Sequence, residues 1–406
     1  MGLGALKQLG GRLTSAFSSK LANQRAGSGT AGVKGPTPIA LDFGARSLKC
    51  LQVSWEGTTP TLIAAASIET PAEPVMDPRK RLEFQLQNLP RLVREGGFKG
   101  RRVVCAIPRW MTLCKSLQVP RQDGVPLSTL VESAMAVQLQ LDPAAWVHRC
   151  TEVPGAGGTS GKAEVIVMAV QRELVEKLMA GMAAAKLEPV GMHSAFAATL
   201  HAFDYMHTGT GDAQQNTLYL DIGSAGTNVI IAHGRELAFA RVMDLGGDHL
   251  DDMVARQRKV DLLEARRLRA LAETACTVTI KPATGDSQPG LSADMSSGPA
   301  SPLGPDHVNM DEMLEGFTDE VRICLRYHAG QFPSRKIDRA VFVGGESRHR
   351  GLCQHVAKAL RLPAQMADPL ARLARTGKEP TVGVDLREPQ PGWAVAMGLC
   401  MSPTDL

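Results

Sequence analysis

Apolar residues recur along the chain in two rhythms. Short apolar runs closed by aspartate, glycine or proline predict strands at 39–42, 50–55, 62–67, 102–107, 115–119, 164–170, 217–221, 228–232, 236–242 and 339–343. Apolar positions three and four residues apart predict helices at 79–95, 127–138, 172–184, 195–207, 248–257, 262–273, 310–331 and 351–360. Pro90 is expected to break or kink the first helix, because proline removes one helical hydrogen bond and crowds the preceding turn. Strands and helices alternate, which argues for an α/β fold with helices flanking its sheets.

Two stretches lack either rhythm. In residues 1–38, Leu3, Leu6, Leu13, Phe17 and Leu21 recur with Lys7, Arg12 and Lys20 between them, as in a basic amphipathic segment for an anionic membrane surface. Gly2, Gly4, Gly10 and Gly11 oppose a helix and favour a flexible, solvated tail, followed by a Gly/Ser/Thr/Pro linker over 26–38. Residues 281–309 combine Pro282, Pro289, Pro299, Pro302 and Pro305 with Gly285, Gly290, Gly298 and Gly304, which reads as a long mobile loop.

A length of 406 residues suggests two or three domains. The net charge of +4 is local: the first 38 residues hold five basic and no acidic side chains, leaving 40 Lys+Arg against 41 Asp+Glu elsewhere. A folded part without a basic excess argues against nucleic acid as a partner. The 8 cysteines form no C-x-x-C pair and read as reduced, buried residues. No apolar run approaches a membrane span, and no signal peptide is expected.

The candidate chemistry lies in three turns. Leu41-Asp42-Phe43-Gly44-Ala45-Arg46-Ser47-Leu48-Lys49 joins two strands, and Leu220-Asp221-Ile222-Gly223-Ser224-Ala225-Gly226-Thr227 does the same further on. Glycines let backbone N–H groups converge on a phosphate, small hydroxyls add donors, and an aspartate before each turn can hold Mg²⁺, usually through water. Lys49 could meet the phosphates as a point charge. Either turn alone is also an ordinary hairpin. The third turn, Val343-Gly344-Gly345-Glu346-Ser347, ends an apolar strand, and its two glycines would let backbone approach a purine or ribose.

In this order the turns resemble the phosphate-1, phosphate-2 and adenosine motifs of the actin-like ATPases. Within them the chain resembles the PilM family of type IV pilus assembly, a relative of FtsA. The resemblance covers about 36–402, including the segments 97–108, 184–190, 242–248 and 325–345. It implies an α/β actin-like fold of two lobes around a nucleotide cleft: a first lobe over 39–210 with an insert at about 97–184, and a second over 211–402 with an insert at about 248–309. It also implies that ATP and Mg²⁺ are bound by Asp42, Gly44, Ala45, Arg46, Ser47, Lys49, Asp221, Gly223, Ser224, Ala225, Gly226, Thr227, Gly246, Gly247, Gly344, Gly345, Glu346 and Ser347, with Asp42 and Asp221 as the metal ligands. The implied partner is a PilN-like inner-membrane protein, held by its cytoplasmic N-terminal peptide in a groove on the first lobe, alongside other platform or motor proteins. The implied location is cytoplasmic, peripheral to the inner membrane.

Three positions depart from the family pattern. Ala45 and Arg46 stand where serines are usual, Glu346 stands where a third glycine is common, and His193-Ser194 stands where an acidic residue is often found. His193 is a candidate for positioning water or a structural hydrogen-bonder. Enzymatic activity is therefore at most a slow ATPase. A pseudo-ATPase scaffold without nucleotide and a small-molecule kinase of the same fold remain alternatives. A filament protein anchored by a C-terminal amphipathic helix is disfavoured by the ending Ser402-Pro403-Thr404-Asp405-Leu406.

Overall fold

The computed structural model describes residues 35–56, 59–71, 77–155, 161–206, 215–274, 310–402 and 404. The basic tail over 1–34 and the loop expected at 281–309 lie outside the described residues.

Two lobes repeat one sheet plan. In the first, β2 (Ile39–Phe43), β3 (Ser47–Trp55) and β4 (Pro60–Glu69) form an antiparallel meander, and β2 continues in parallel to β5 (Arg102–Ala106) and β9 (Glu188–His193). In the second, β10 (Asn216–Ile222), β11 (Thr227–His233) and β12 (Glu236–Met243) form the meander, and β10 continues in parallel to β13 (Arg339–Val343) and β14 (Ala364–Met366). The strand orders β4-β3-β2-β5-β9 and β12-β11-β10-β13-β14 coincide. β2 and β13 read as nearly continuous apolar runs because both faces of each central strand are covered. Two short strands complete the first sheet: β1 (Gly35–Pro36) pairs with β3, and β15 (Thr381–Val382) closes the free edge of β4.

Helices cover the outer faces. α1 (Pro78–Glu95) begins at Asp77, whose carboxylate accepts from the Arg79 amide at 2.8 Å, with Pro78 at the first helical position. The expected break at Pro90 does not occur: the helix runs unbroken through it. Leu89 and Leu92 are buried on the core face while Pro90 faces solvent, where water can satisfy the carbonyl it frees.

Of the residues 97–184 expected as an insert, β5 runs inside the first sheet, and α3 (Arg172–Ala184) packs against α1 and β9. The separate unit is a three-stranded antiparallel sheet, β6 (Leu113–Pro120), β8 (Lys162–Gln171) and β7 (Trp146–Glu152) in spatial order. Its buried face packs on Val131, Ala134 and Met135 of α2 (Leu127–Gln138). In the second lobe, α5 (Gly247–Arg258) and α6 (Leu262–Thr274) pair through Val254, Ala265 and Leu268, and α7 (Asp311–Gln331) and α8 (Arg350–Leu360) cover the sheet.

Between the lobes, α4 (Ala195–Met206) and α9 (Ala394–Cys400) pack back to back. A Cβ at Gly398 would lie 1.6 Å from the Ala198 carbonyl oxygen, so only glycine permits this approach. α9 rests on β2, β3 and β5, and α4 touches β11 and β12, so the two helices form the common wall of both lobes. His201 of α4 is fixed to this wall. Ser402 Oγ donates to the Gly398 carbonyl at 2.9 Å, so its remaining contact, 2.9 Å from His201 Nδ1, is accepted from a neutral imidazole carrying its proton on Nδ1.

Candidate functional site

The two Asp-containing turns are equivalent in register. Four residues lie between the paired Phe43 and Leu48, and four between the paired Ile222 and Thr227. Each aspartate faces a polar residue across its hairpin: Asp42 opposes Lys49, with Nζ 3.6 Å from Oδ2, and Asp221 opposes Asn228, whose Nδ2 donates at 2.9 Å. The structure brings the two carboxylates close enough to repel each other. Burial pushes the Asp42 carboxyl above its ordinary range; Lys49 opposes that shift and Asp221 adds to it.

The backbone of each turn is held from behind. Gln85 of α1 donates to the Gly44 carbonyl at 2.7 Å, and the Thr70 amide donates to the Arg46 carbonyl at 2.8 Å. In the second turn the Gly223 amide donates to the Gly226 carbonyl at 2.9 Å, and Thr227 Oγ1 donates to the Leu245 carbonyl at 2.7 Å. Gly246 packs directly onto this turn: a Cβ there would meet the Gly223 oxygen at 2.3 Å. The third turn joins the second: Gly344 has φ +89°, and a Cβ on it would lie 2.3 Å from the Ile222 oxygen. Ser347 Oγ closes the turn by donating to the Gly344 carbonyl at 2.7 Å. Backbone packing therefore explains glycine at 246 and 344. Gly345 differs, since a Cβ there would meet nothing within 4 Å.

The three departures from the family pattern are all engaged in the fold. Arg46 is half-buried and reaches the second lobe, where it ion-pairs with Asp248 of α5, and Asp251 lies 3.7 Å away. Asp251 also accepts from Arg266 and Arg269, each at 2.8 Å. Arg269 continues to Glu346 at 2.7 Å, and the Glu346 carboxylate covers Gly247, whose Cβ would lie 2.2 Å from Oε1. Burial works to lower the Arg269 pKa, but Glu346 and Asp251 outweigh it and push it up. This network ties the first Asp-containing turn, on the first lobe, to the second lobe. It also divides the basic stretch of α5 and α6: Arg266 and Arg269 turn inward, whereas Arg256 and Arg267 pair with Asp252 and Glu264 at the surface. His193 is buried at the end of β9, beside His201, where it lines a cavity of about 30 Å³ at the seam between the first sheet and the inserted sheet.

One cleft residue escaped the sequence reading. Arg109 follows Pro108 at the end of β5, in a 3₁₀ turn over Arg109–Met111, and its guanidinium lies against the second turn. A Cβ at Gly223 would come 3.1 Å from Nη2, and one at Gly226 would come 3.0 Å from Nη1. Burial works to lower its pKa, against the pull of Asp221, Asp244, Asp248 and Asp42. Its signal in the sequence was slight: a single arginine after a proline, outside all three glycine turns.

These residues suit a phosphate better than a free metal ion. Arg109 Nη1 and Ser224 Oγ are buried without a hydrogen-bond partner, and both lie at the second turn. No group of three or more metal-ligating side chains occurs among the described residues, so a Mg²⁺ at Asp42 and Asp221 would need the nucleotide's own oxygens and water to complete its shell. The larger concavity, about 460 Å³, lies elsewhere on the first lobe, along Gly35–Pro36, Thr61, Gly97 and Pro380.

A sequence profile described as type IV pilus assembly protein PilM matches residues 40–274. Among solved structures, the chain is similar to one titled PilM-PilN type IV pilus biogenesis complex, at 22% identity over 91% of this chain and 99% of that one, with a TM-score of 0.67. Weaker similarity extends to ethanolamine utilization protein EutJ from Carboxydothermus hydrogenoformans, at 12% identity over 98% of each chain and a TM-score of 0.44. It extends also to MreB 5 of Spiroplasma citri bound to AMPPNP, at 14% identity over 90% of this chain and 94% of that one and a TM-score of 0.45. No curated protein matches the chain in sequence. The fold is the two-lobed actin-like one.

Proposed function

The matched profile spans more than half of the chain, so the chain belongs to the PilM family of type IV pilus assembly proteins, and from that premise we propose that it is an ATP-binding cytoplasmic scaffold of the pilus inner-membrane platform. One observation carries the nucleotide part: two register-equivalent Asp-Gly turns meet at a cleft where a guanidinium N–H and a serine hydroxyl are buried without partners. Such groups are costly when left unsatisfied, and a bound anion would satisfy both. Asp42 and Asp221 would hold Mg²⁺ through water, Lys49 and the turn amides would take the phosphates, and Gly345 would receive the nucleoside. Turnover would be slow or absent, because Asp42 is held by Lys49, Asp221 by Asn228, and His193 lines the seam.

The partner would be a PilN-like inner-membrane protein, engaged through its cytoplasmic N-terminal peptide at that seam. Of the two edge strands of the inserted sheet, β6 is covered by β12, and Cys114 Sγ donates to the Ala240 carbonyl. Past Trp146, no strand among the described residues pairs with the outer edge of β7, and Val147, His148 and Arg149 line the seam cavity. An extended peptide could add to this edge as a further strand. No helix among the described residues is long and apolar enough to cross a membrane.

The test is a titration of a labelled N-terminal peptide of the PilN-like partner, followed by fluorescence anisotropy. Saturable binding, weakened in His148→Ala and Arg149→Ala, is expected. No saturation with the parent would end the peptide reading. A second reading, a scaffold without nucleotide, has one observation in its favour: Glu346 covers Gly247 beside the third turn.

A further inference from the structure

We infer that Arg109 is the side chain through which this cleft binds the phosphates of a nucleoside di- or triphosphate. The inference rests on the ATP-binding reading and adds a residue to it that lies outside the three glycine turns.

Arg109 is placed with precision. Pro108, two residues past the end of β5, caps the turn, which is closed by Met111 N donating to the Pro108 carbonyl and Thr112 N donating to the Arg109 carbonyl, both at 3.0 Å. Thr112 Oγ1 adds a third bond to the Pro108 carbonyl at 3.0 Å. Next in the chain, Trp110 lies under the Arg81 guanidinium, 4.6 Å from the ring centroid. This anchored turn of the first lobe sends the Arg109 side chain across to Gly223 and Gly226 of the second. Both positions lack side chains, so the guanidinium rests on bare backbone.

Its surroundings are unusual for a buried arginine. Asp42, Asp221, Asp244 and Asp248 are near enough to attract it, yet none forms an ion pair with it among the described residues. Nη1 therefore keeps an unmet donor, and Ser224 Oγ, in the same turn, is buried without a partner. Two buried groups that can donate, at a turn with no obstructing side chain, call for an oxygen-rich anion. A planar guanidinium presents paired N–H groups to phosphate in a fork, which a lysine cannot do. Arg109 thus takes the part that hydroxyls at 45 and 46 would have played, since Ala45 has none and Arg46 is committed to Asp248.

The test is calorimetric titration of ATP, ADP, AMP and inorganic phosphate, with Mg²⁺, into the full chain and into Arg109→Gln and Arg109→Lys. Arg109→Gln should weaken ATP about ten- to hundredfold, the loss expected for charge-assisted bonds to phosphate, and change AMP by less than about threefold. Arg109→Lys should fall between. Inorganic phosphate binding that competes with ATP in the parent and disappears in Arg109→Gln would place the contact at the phosphates. Unchanged ATP affinity in Arg109→Gln would overturn the assignment while leaving the nucleotide reading intact. Equal proportional losses of ATP and AMP would also overturn it, by showing a structural role. Failure of the parent to bind ATP or ADP would remove the nucleotide reading, and this proposal with it.

Discussion

Adjacent glycines in the third turn separate packing from ligand approach. Gly344 has φ +89° and ψ 163°, a region that side chains avoid, and a Cβ on it would lie 2.3 Å from the Ile222 carbonyl oxygen. The strained backbone costs about 1–3 kcal/mol, and the clash is with backbone that cannot swing away. Gly344→Ala should therefore lose about 3 kcal/mol or more. At about 2–4 °C per kcal/mol for a unit of lobe size, melting should fall by roughly 6–12 °C. Gly345→Ala meets nothing within 4 Å and has no positive φ. Without ligand it should be neutral or gain about 0.4–1 kcal/mol from a less flexible unfolded chain. If the nucleoside lies against Gly345, an added methyl overpacks that contact by about 1–3 kcal/mol, lowering ATP affinity roughly five- to hundredfold. Thermal melting followed by circular dichroism and ATP titration of both variants decide the matter. A Gly345→Ala protein that melts like the parent and binds ATP equally well would refute the nucleoside's placement at this turn. A Gly344→Ala protein that melts like the parent would refute the packing argument.

The remaining predictions concern the frame around the site. Asp251→Ala removes the acceptor shared by Arg266 and Arg269 and leaves the buried Arg269, only 7% exposed, with Glu346 as its remaining carboxylate, so it should cost about 1.5–3 kcal/mol in urea unfolding; a loss below about 0.5 kcal/mol would show the network to be decorative. Burial, with His193 nearby, pushes His201 down to about 4 from an ordinary 6.5. The folded chain thus refuses a proton that the unfolded chain accepts, so this stability is complete above pH 6.5 and is lost as pH falls from 6.5 to 4. The loss is on the order of 3 kcal/mol. Asp204, pushed up to about 6 mainly by burial, acts in the opposite direction, so the readout is the difference between parent and His201→Asn. That difference should change across pH 6.5 to 4, and a flat difference would sink the assignment.

Much of the fold was legible because the central strands β2 and β10 are largely apolar and each leads into an Asp-x-Gly turn of the same length. Elements without a regular pattern were not. β7 is half-buried along most of its length and mixes Trp146, His148, Arg149 and Glu152, so no alternation marks it. β9 carries Pro189 and Gly191, which read as breakers. α9 is buried on every side, so its sequence shows an apolar run with no helical period, interrupted by the Gly398 that its contact with α4 requires. At the site, residues adjacent in sequence to a glycine turn could be read, whereas Arg109 could not, because its role depends on a contact between lobes. The same limit explains Arg46, Arg266, Arg269 and Glu346: their partners lie far away in sequence, and only the folded chain pairs them.

In the proposed site the two Asp-x-Gly turns act together as one nucleotide clamp. Equilibrium binding of ATP with and without Mg²⁺, to the parent and to Asp42→Ala and Asp221→Ala, tests it most directly. Mg²⁺-dependent binding to the parent that is lost in both variants is the predicted result. A parent that binds neither ATP nor ADP would contradict the clamp and leave a scaffold that recognises protein alone.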